Sequence, residues 1–142
     1  MRRLLLVANP SASGFTGALF REVSSILSEA YEVTAAWPNG PVDAPHTAEA
    51  AARSGYDVEE AMGGDGVVHH VGNGLVHTDT ALGILPVGTT NVVARILGLP
   101  RSPKKAARAL ATAVPERLPV AHIATENPEG ARSIYALFSL GI

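Results

Sequence analysis

Gly63-Gly64-Asp65-Gly66 and, twenty-two residues on, Gly88-Thr89-Thr90-Asn91 are the stretches of this sequence best suited to chemistry. Each follows an apolar run and precedes a helix-like pattern. Glycine bends freely and lets a large anion approach the backbone amides. A helix N-terminus directly behind such a turn adds donors and partial positive charge. Two such turns, with one acid between the glycines, predict a phosphate-holding cleft. A nucleotide is therefore the first ligand to consider. Asp65 has two readings here: a metal-directed or proton-accepting carboxylate, or a cap on the helix that starts near Val67. Thr89 and Thr90 offer hydroxyls to phosphate or ribose oxygens, or cap the helix over 91–97. Asn9 and Ser13 follow the first strand, at the end of the sheet where open α/β sheets bind ligands. His69 and His70 are adjacent on a helix and point about 100° apart, so a shared ion is not expected.

These groups need a frame. Leu4 to Ala8 is a continuous apolar run, as in a strand covered on both faces. Asn9-Pro10-Ser11-Ala12-Ser13-Gly14 is a turn-rich loop. Leu19, Phe20, Val23, Ile26, Leu27 and Ala30 then recur at helical spacing. Tyr31 to Trp37 reads as a second strand. Thr47 is expected to cap a short alanine-rich helix ending near Arg53. Val58 to Met62 reads as a third strand, although Glu59 and Glu60 are unusual in a buried parallel strand. A helix over Val67 to Val76 follows, with Gly74 expected to close it in the left-handed conformation. Ala81 to Val87 is a fourth strand and Asn91 to Leu97 a short helix. Arg95, on that helix, is expected to pair with a carboxylate or pack its stem. Ser102-Pro103 pairs a hydroxyl cap with proline at the first helical position, and starts a helix running to about Ala113. The pattern then changes. Leu118 to Ala124 and Ser133 to Leu140 read as two hairpin strands about Asn127-Pro128-Glu129-Gly130.

The predicted fold is α/β: a three-layer, Rossmann-like parallel sheet flanked by helices. A nucleotide-binding domain is expected over 1–116, and the start of a β-rich second domain over 117–142. The sequence stops at Gly141-Ile142, in or just after an apolar run, which predicts that this second domain continues beyond it.

Composition bounds the function. At 46% hydrophobic and 17% charged, the 142 residues can bury a core. The net charge of −2 gives no electrostatic reason for a nucleic-acid partner. With no cysteine, disulfides and thiolate metal sites are excluded, and a cytoplasmic setting is expected. No run approaches the ~20 apolar residues that span a bilayer, so any membrane contact is expected to be peripheral. Open hairpin edges would favour association, such as a homodimer.

Asn9-Pro10 with Ser13-Gly14, the run from Gly63 through Val71-Gly72-Asn73-Gly74-Leu75, and Gly83-Ile84-Leu85-Pro86-Val87-Gly88-Thr89-Thr90-Asn91 with Ala94-Arg95 and Leu97-Gly98-Leu99-Pro100 occur in order along nearly the whole chain. Together they resemble the diacylglycerol kinase catalytic domain family, which includes bacterial lipid kinases and sphingosine kinases. The resemblance implies a nucleotide-binding α/β domain followed by a β-sandwich, with ATP and Mg²⁺ in the cleft between them and a lipid alcohol as acceptor. It implies nucleotide contacts from Asn9, Pro10, Ser11 and Ser13, from Gly63, Gly64, Asp65, Gly66, Val67 and His70, and from Gly88, Thr89, Thr90 and Asn91. Asp65 is the implied catalytic residue. Further acidic residues for metal binding and catalysis belong to the family's second domain, so the 142 residues alone are expected to bind nucleotide weakly and to be inactive.

The sequence departs from the family pattern in places. The usual Thr and Asn-Glu pair after the first glycine turn are replaced by Val67, His69 and His70, closer to the sphingosine kinase version. The usual Asp-Phe after Asn91 is replaced by Val92-Val93. Two other functions compete with a lipid kinase. An NAD kinase-like enzyme shares the Gly-Gly-Asp-Gly turn but should carry a downstream Asn-Glu pair, which does not occur here. A non-catalytic nucleotide-binding regulatory module would be consistent with the altered positions at 67, 69 and 70.

Overall fold

The computed structural model describes residues 1–125 and 132–136. Strands β1 (Arg2–Ala8), β2 (Tyr31–Ala36), β3 (Val58–Gly63) and β4 (Ala81–Pro86) form one parallel sheet in the order β2-β1-β3-β4. The chain leaves β1 toward β2 on one side, then crosses over to β3 on the other. That reversal falls between β1 and β3, so their carboxyl ends open a crevice. In register, Leu6 of β1 lies between Ala35 of β2 and Glu60 of β3.

Helices cover both faces, as the continuous apolar run in β1 requires. On one face α1 (Gly17–Ser28) and α5 (Pro103–Leu110) bring Val23, Leu27, Ala106 and Ala107 against Leu4, Leu6, Val58 and Met62. On the other face α2 (Asp43–Arg53) and α3 (Asp65–Leu75) bring Ala48, Ala51, Val68 and Val71 against Leu5, Val7 and Ala61. Each buried Leu or Val contributes on the order of 1.5–3 kcal/mol. The predicted caps at the ends of this layer hold in part. Ser102 Oγ accepts from Lys105 N at 3.3 Å and starts α5 as expected. Thr16 Oγ1 caps α1 by accepting from Leu19 N at 3.0 Å. Thr47 is not a cap. It lies inside α2, which begins four residues earlier at Asp43 and places Pro45 in its first turn. Proline is tolerated there because a first-turn amide has no intrahelical acceptor.

Two further expectations are corrected by packing. Gly74 is not left-handed; α3 continues to Leu75, and the positive φ of 65° falls on His77. Gly74 is small because α2 crosses it: a Cβ there would run into the Pro45 carbonyl and Ala48. Glu59 and Glu60 do lie on a parallel strand, and both are buried. Alternation sends Glu59 toward the α2/α3 face and Glu60 toward the α1/α5 face. Glu60 fits because its neighbour on β4 is Gly83, where a Cβ would collide with the carboxylate.

After α5 the chain forms an antiparallel pair, β5 (Ala121–Thr125) and β6 (Arg132–Ala136), with Ile123 opposite Ile134. The expected turn at 127–130 and the end of the second strand, 137–140, lie outside the described residues. The pair sits on α3. Asn73 donates from Nδ2 to the Tyr135 carbonyl at 2.9 Å and accepts the Tyr135 amide on Oδ1 at 2.7 Å.

Candidate functional site

Three turns meet at the carboxyl ends of β1, β3 and β4. The first, after β1, is held to both neighbours. Asn9 N donates to Met62 O at 3.0 Å, and Gly14 N donates to Val87 O at 2.8 Å. Within it, Asn9 Oδ1 accepts from Ser11 N at 3.0 Å, which folds Pro10 and Ser11 into a tight turn. Ser13 Oγ lies 3.2 Å from Thr89 Oγ1, so the first and third turns touch through hydroxyls.

The second turn starts α3. Gly64 is the N-cap and has no side chain to occupy the first-turn amides. These donors face outward at the positive end of an eleven-residue helix. Val67 folds back over Gly63, so that turn has no room for a side chain at 63. Gly64 and Gly88 pack backbone to backbone; a Cβ on Gly88 would enter Gly64 Cα. Val87 N donates to Gly63 O at 3.1 Å beside this contact.

The third turn starts α4 (Val92–Ile96), which holds Val93 and Ala94 in the core. Asn91 is left-handed, with φ 52°. Asparagine tolerates that conformation, and its side chain closes a ring on Gly88: Oδ1 accepts Gly88 N at 3.0 Å and Nδ2 donates to Gly88 O at 2.9 Å. Thr89 and Thr90 stay exposed. A cavity of about 230 Å³ opens beside them, with Arg95 and Arg101 on its wall. Among the described residues neither arginine forms an ion pair, so Arg95 does not take the carboxylate partner expected from sequence. Arg101 carried no motif signal beyond following Leu97-Gly98-Leu99-Pro100.

Asp65 does cap a helix, but not its own. Its Oδ2 accepts Val92 N at 3.0 Å and its Oδ1 accepts Val93 N at 3.2 Å, both at the start of α4. The structure thus brings Asn9, Ser13, Gly63, Gly64, Asp65, Gly88, Thr89 and Asn91 into one cluster. His70 stands further along α3, half-buried, with its ring 5.2 Å from that of His69. Burial, and then the charge of His69, pull its pKa below 6.5. Among the described residues no group of three His, Cys, Asp or Glu side chains could hold a metal ion.

Residues 3–123 match the profile of the diacylglycerol kinase catalytic domain. The chain belongs to that family. A diacylglycerol kinase of Bacillus subtilis is 37% identical over 105 residues, covering 71% of this chain and 35% of its own. One from Mycobacterium tuberculosis is 41% identical over 86 residues, covering 60% and 28%. A crystal structure of a diacylglycerol kinase from Bacillus anthracis superposes with a TM-score of 0.71 at 28% identity, covering 78% of this chain and 42% of that one. The chain spans about a third of the length of the curated relatives, at 35% and 28%. All three turns fall inside the matched segment, whereas β6 lies beyond it. No helix among the described residues is long and apolar enough to cross a membrane.

Proposed function

We propose that this chain is the nucleotide-binding part of an ATP-dependent lipid kinase. The complete enzyme transfers the γ-phosphoryl group of ATP to a lipid hydroxyl such as that of diacylglycerol. The acceptor oxygen attacks the γ-phosphorus, the bond to the β–γ bridging oxygen breaks, and ADP leaves. What supports this reading is family membership together with the backbone contact of Gly64 and Gly88, which sets two amide-rich turns side by side. Phosphoryl transfer is mainly positioning and charge neutralisation, and such turns supply the positioning.

In this reading the triphosphate lies against the first-turn amides over Gly64, Asp65 and Gly66. Gly63 and Val67 shape the floor, and Gly88, Thr89, Thr90 and Asn91 form the facing wall. Asn9, Pro10, Ser11 and Ser13 border the open side. His70, whose pKa is lowered by burial and then by the charge of His69, would serve as a hydrogen-bonding contact. Mg²⁺ would offset the phosphate charge. No described trio of side chains fits a metal by itself, so the ion would arrive on the nucleotide. Its remaining ligands, and the base that takes the hydroxyl proton, would come from the length of the relatives that this chain does not span. The domain over 1–116 would then carry the nucleotide and residues from 117 onward would begin the lipid-facing part. The chain alone would be inactive.

The test is an amide NMR titration of the chain with MgATP. Shifts confined to residues 9–14, 63–70 and 87–91 are expected. Shifts centred elsewhere would remove the nucleotide reading. The substrate is tested separately, by assaying the full-length protein with ATP, Mg²⁺ and a panel of lipid alcohols.

A further inference from the structure

We infer that Asp65 is a positioning residue, whose carboxylate ties the start of α4 to the start of α3 and so fixes the spacing of the two glycine turns. The inference rests on the nucleotide reading for its functional meaning, but its geometry stands alone. Each Asp65 oxygen already accepts one amide hydrogen, from Val92 and from Val93. Those amides open a helix of only five residues, too short to be stable unaided. The helix receives no cap from its own N-cap residue. The Asn91 side chain, the usual source of such a cap, is turned back onto Gly88. A carboxylate from another helix therefore satisfies two orphan donors that the local sequence leaves open.

The clamp has a purpose that the neighbouring contacts share. Gly64 against Gly88 closes the same gap through backbone, and the Ser13 and Thr89 hydroxyls tie the third turn to the first. Asp65 adds a charge-assisted bond pair to this closure. With the clamp in place, Gly88 at the start of the third turn is held against Gly64 at the start of α3. The two valines at 92 and 93 suit this arrangement, because the contact uses only their backbone.

The test compares the chain with its Asp65→Ala and Asp65→Asn variants by amide hydrogen exchange and by titration with ATP, with and without Mg²⁺. The expected result is that Asp65→Ala speeds exchange at Val92 and Val93 about tenfold, the order expected for loss of a helix cap. Amides of Leu6 and Leu85 in the sheet should keep their rates, which shows that the variant is folded. ATP binding should weaken by a similar factor whether or not Mg²⁺ is present. Asp65→Asn retains one acceptor and should fall between parent and Ala in both readouts. Unchanged exchange at Val92 and Val93 in the Ala variant overturns the inference, and so does unchanged ATP binding. A binding loss seen only with Mg²⁺ also overturns it, since that marks a metal ligand. So does an Asn variant that protects both amides yet binds as poorly as Ala. If the parent chain binds no ATP while the exchange contrast appears, the nucleotide reading fails and the clamp is upheld.

Discussion

Gly64 and Gly66 stand in one turn under different constraints. Gly64 is fixed by contact with Gly88, whereas nothing lies within 4 Å of a Cβ placed on Gly66. Gly66 is also helical, where alanine is favoured over glycine by about 0.8–1 kcal/mol. Gly66→Ala should therefore raise stability in urea denaturation by up to about 1 kcal/mol. It should also weaken ATP binding, because the new methyl stands among the first-turn amides. A change of both in the same direction would refute the assignment. Glu59 and Glu60 carry a second residue-scale consequence. Burial holds both carboxyls up from 4.5 to about 8, and among the described residues neither oxygen of Glu59 nor Oε2 of Glu60 has a hydrogen-bond partner. Between those pH values the folded state keeps protons that the unfolded chain releases. Stability should then fall as pH rises from 4.5 to about 8 and level off above it. Each group sets a slope of about 1.4 kcal/mol per pH unit. Denaturation midpoints should be lower at pH 8 than at pH 5, and Glu60→Val should roughly halve that difference. Equal midpoints in the parent would count against burial of the pair.

At the scale of elements, the crossing of α2 over α3 decides how the helix behind the second glycine turn is seated. The crossing point is Gly74, beneath the Pro45 carbonyl and Ala48. Since the obstruction is largely backbone, a side chain there must push the helices apart. Gly74→Ala should cost about 1–3 kcal/mol, the usual range for overpacking, in spite of alanine's better helix propensity. Thermal or urea unfolding measures this, and a neutral or stabilising result would show that α2 can yield. The length of α3 follows from the same crossing. Packing carries the helix past Gly74 to Leu75, so the left-handed residue that ends it is His77.

For the molecule as a whole, the question is how the β5–β6 pair is joined to the α/β layer. Asn73 answers it by acting as a stand-in strand residue for β6, giving and receiving one hydrogen bond with Tyr135. The His77 ring adds a bond to the Tyr135 hydroxyl at 3.0 Å. This seat is on the helix whose opposite end forms the second glycine turn. Asn73→Asp replaces the donor by an acceptor facing the carbonyls of Tyr135 and His69. It should loosen the pair by about 1–3 kcal/mol, the cost of leaving such groups unmatched. Faster exchange at the Tyr135 amide, with the parallel sheet unchanged, is the expected sign. No change there would mean that the pair is held by other contacts.

Periodicity and turn chemistry in the sequence determined the four parallel strands, the helices between them and the three turns, because these depend on residues close in the chain. Ser102-Pro103 opened its helix as read, and the runs Leu4–Ala8 and Ala81–Val87 became strands with ends moved by a residue or two. What tertiary structure alone decided are the partners across the chain. Asp65 was legible as a cap, but the helix it caps starts twenty-seven positions later than the residue itself. Gly74 and Asn73 carried a local signal for a helix end, which α2 and β6 overrode by packing against them. Thr47 looked like a helix start only because the first turn, stabilised by burial of Ala44 and open to Pro45, has no cap for a reader to find. Propensity is worth a few tenths of a kcal/mol per residue, and packing at a crossing is worth several times more. Local signals therefore place the elements, and contacts distant in sequence settle what their side chains do.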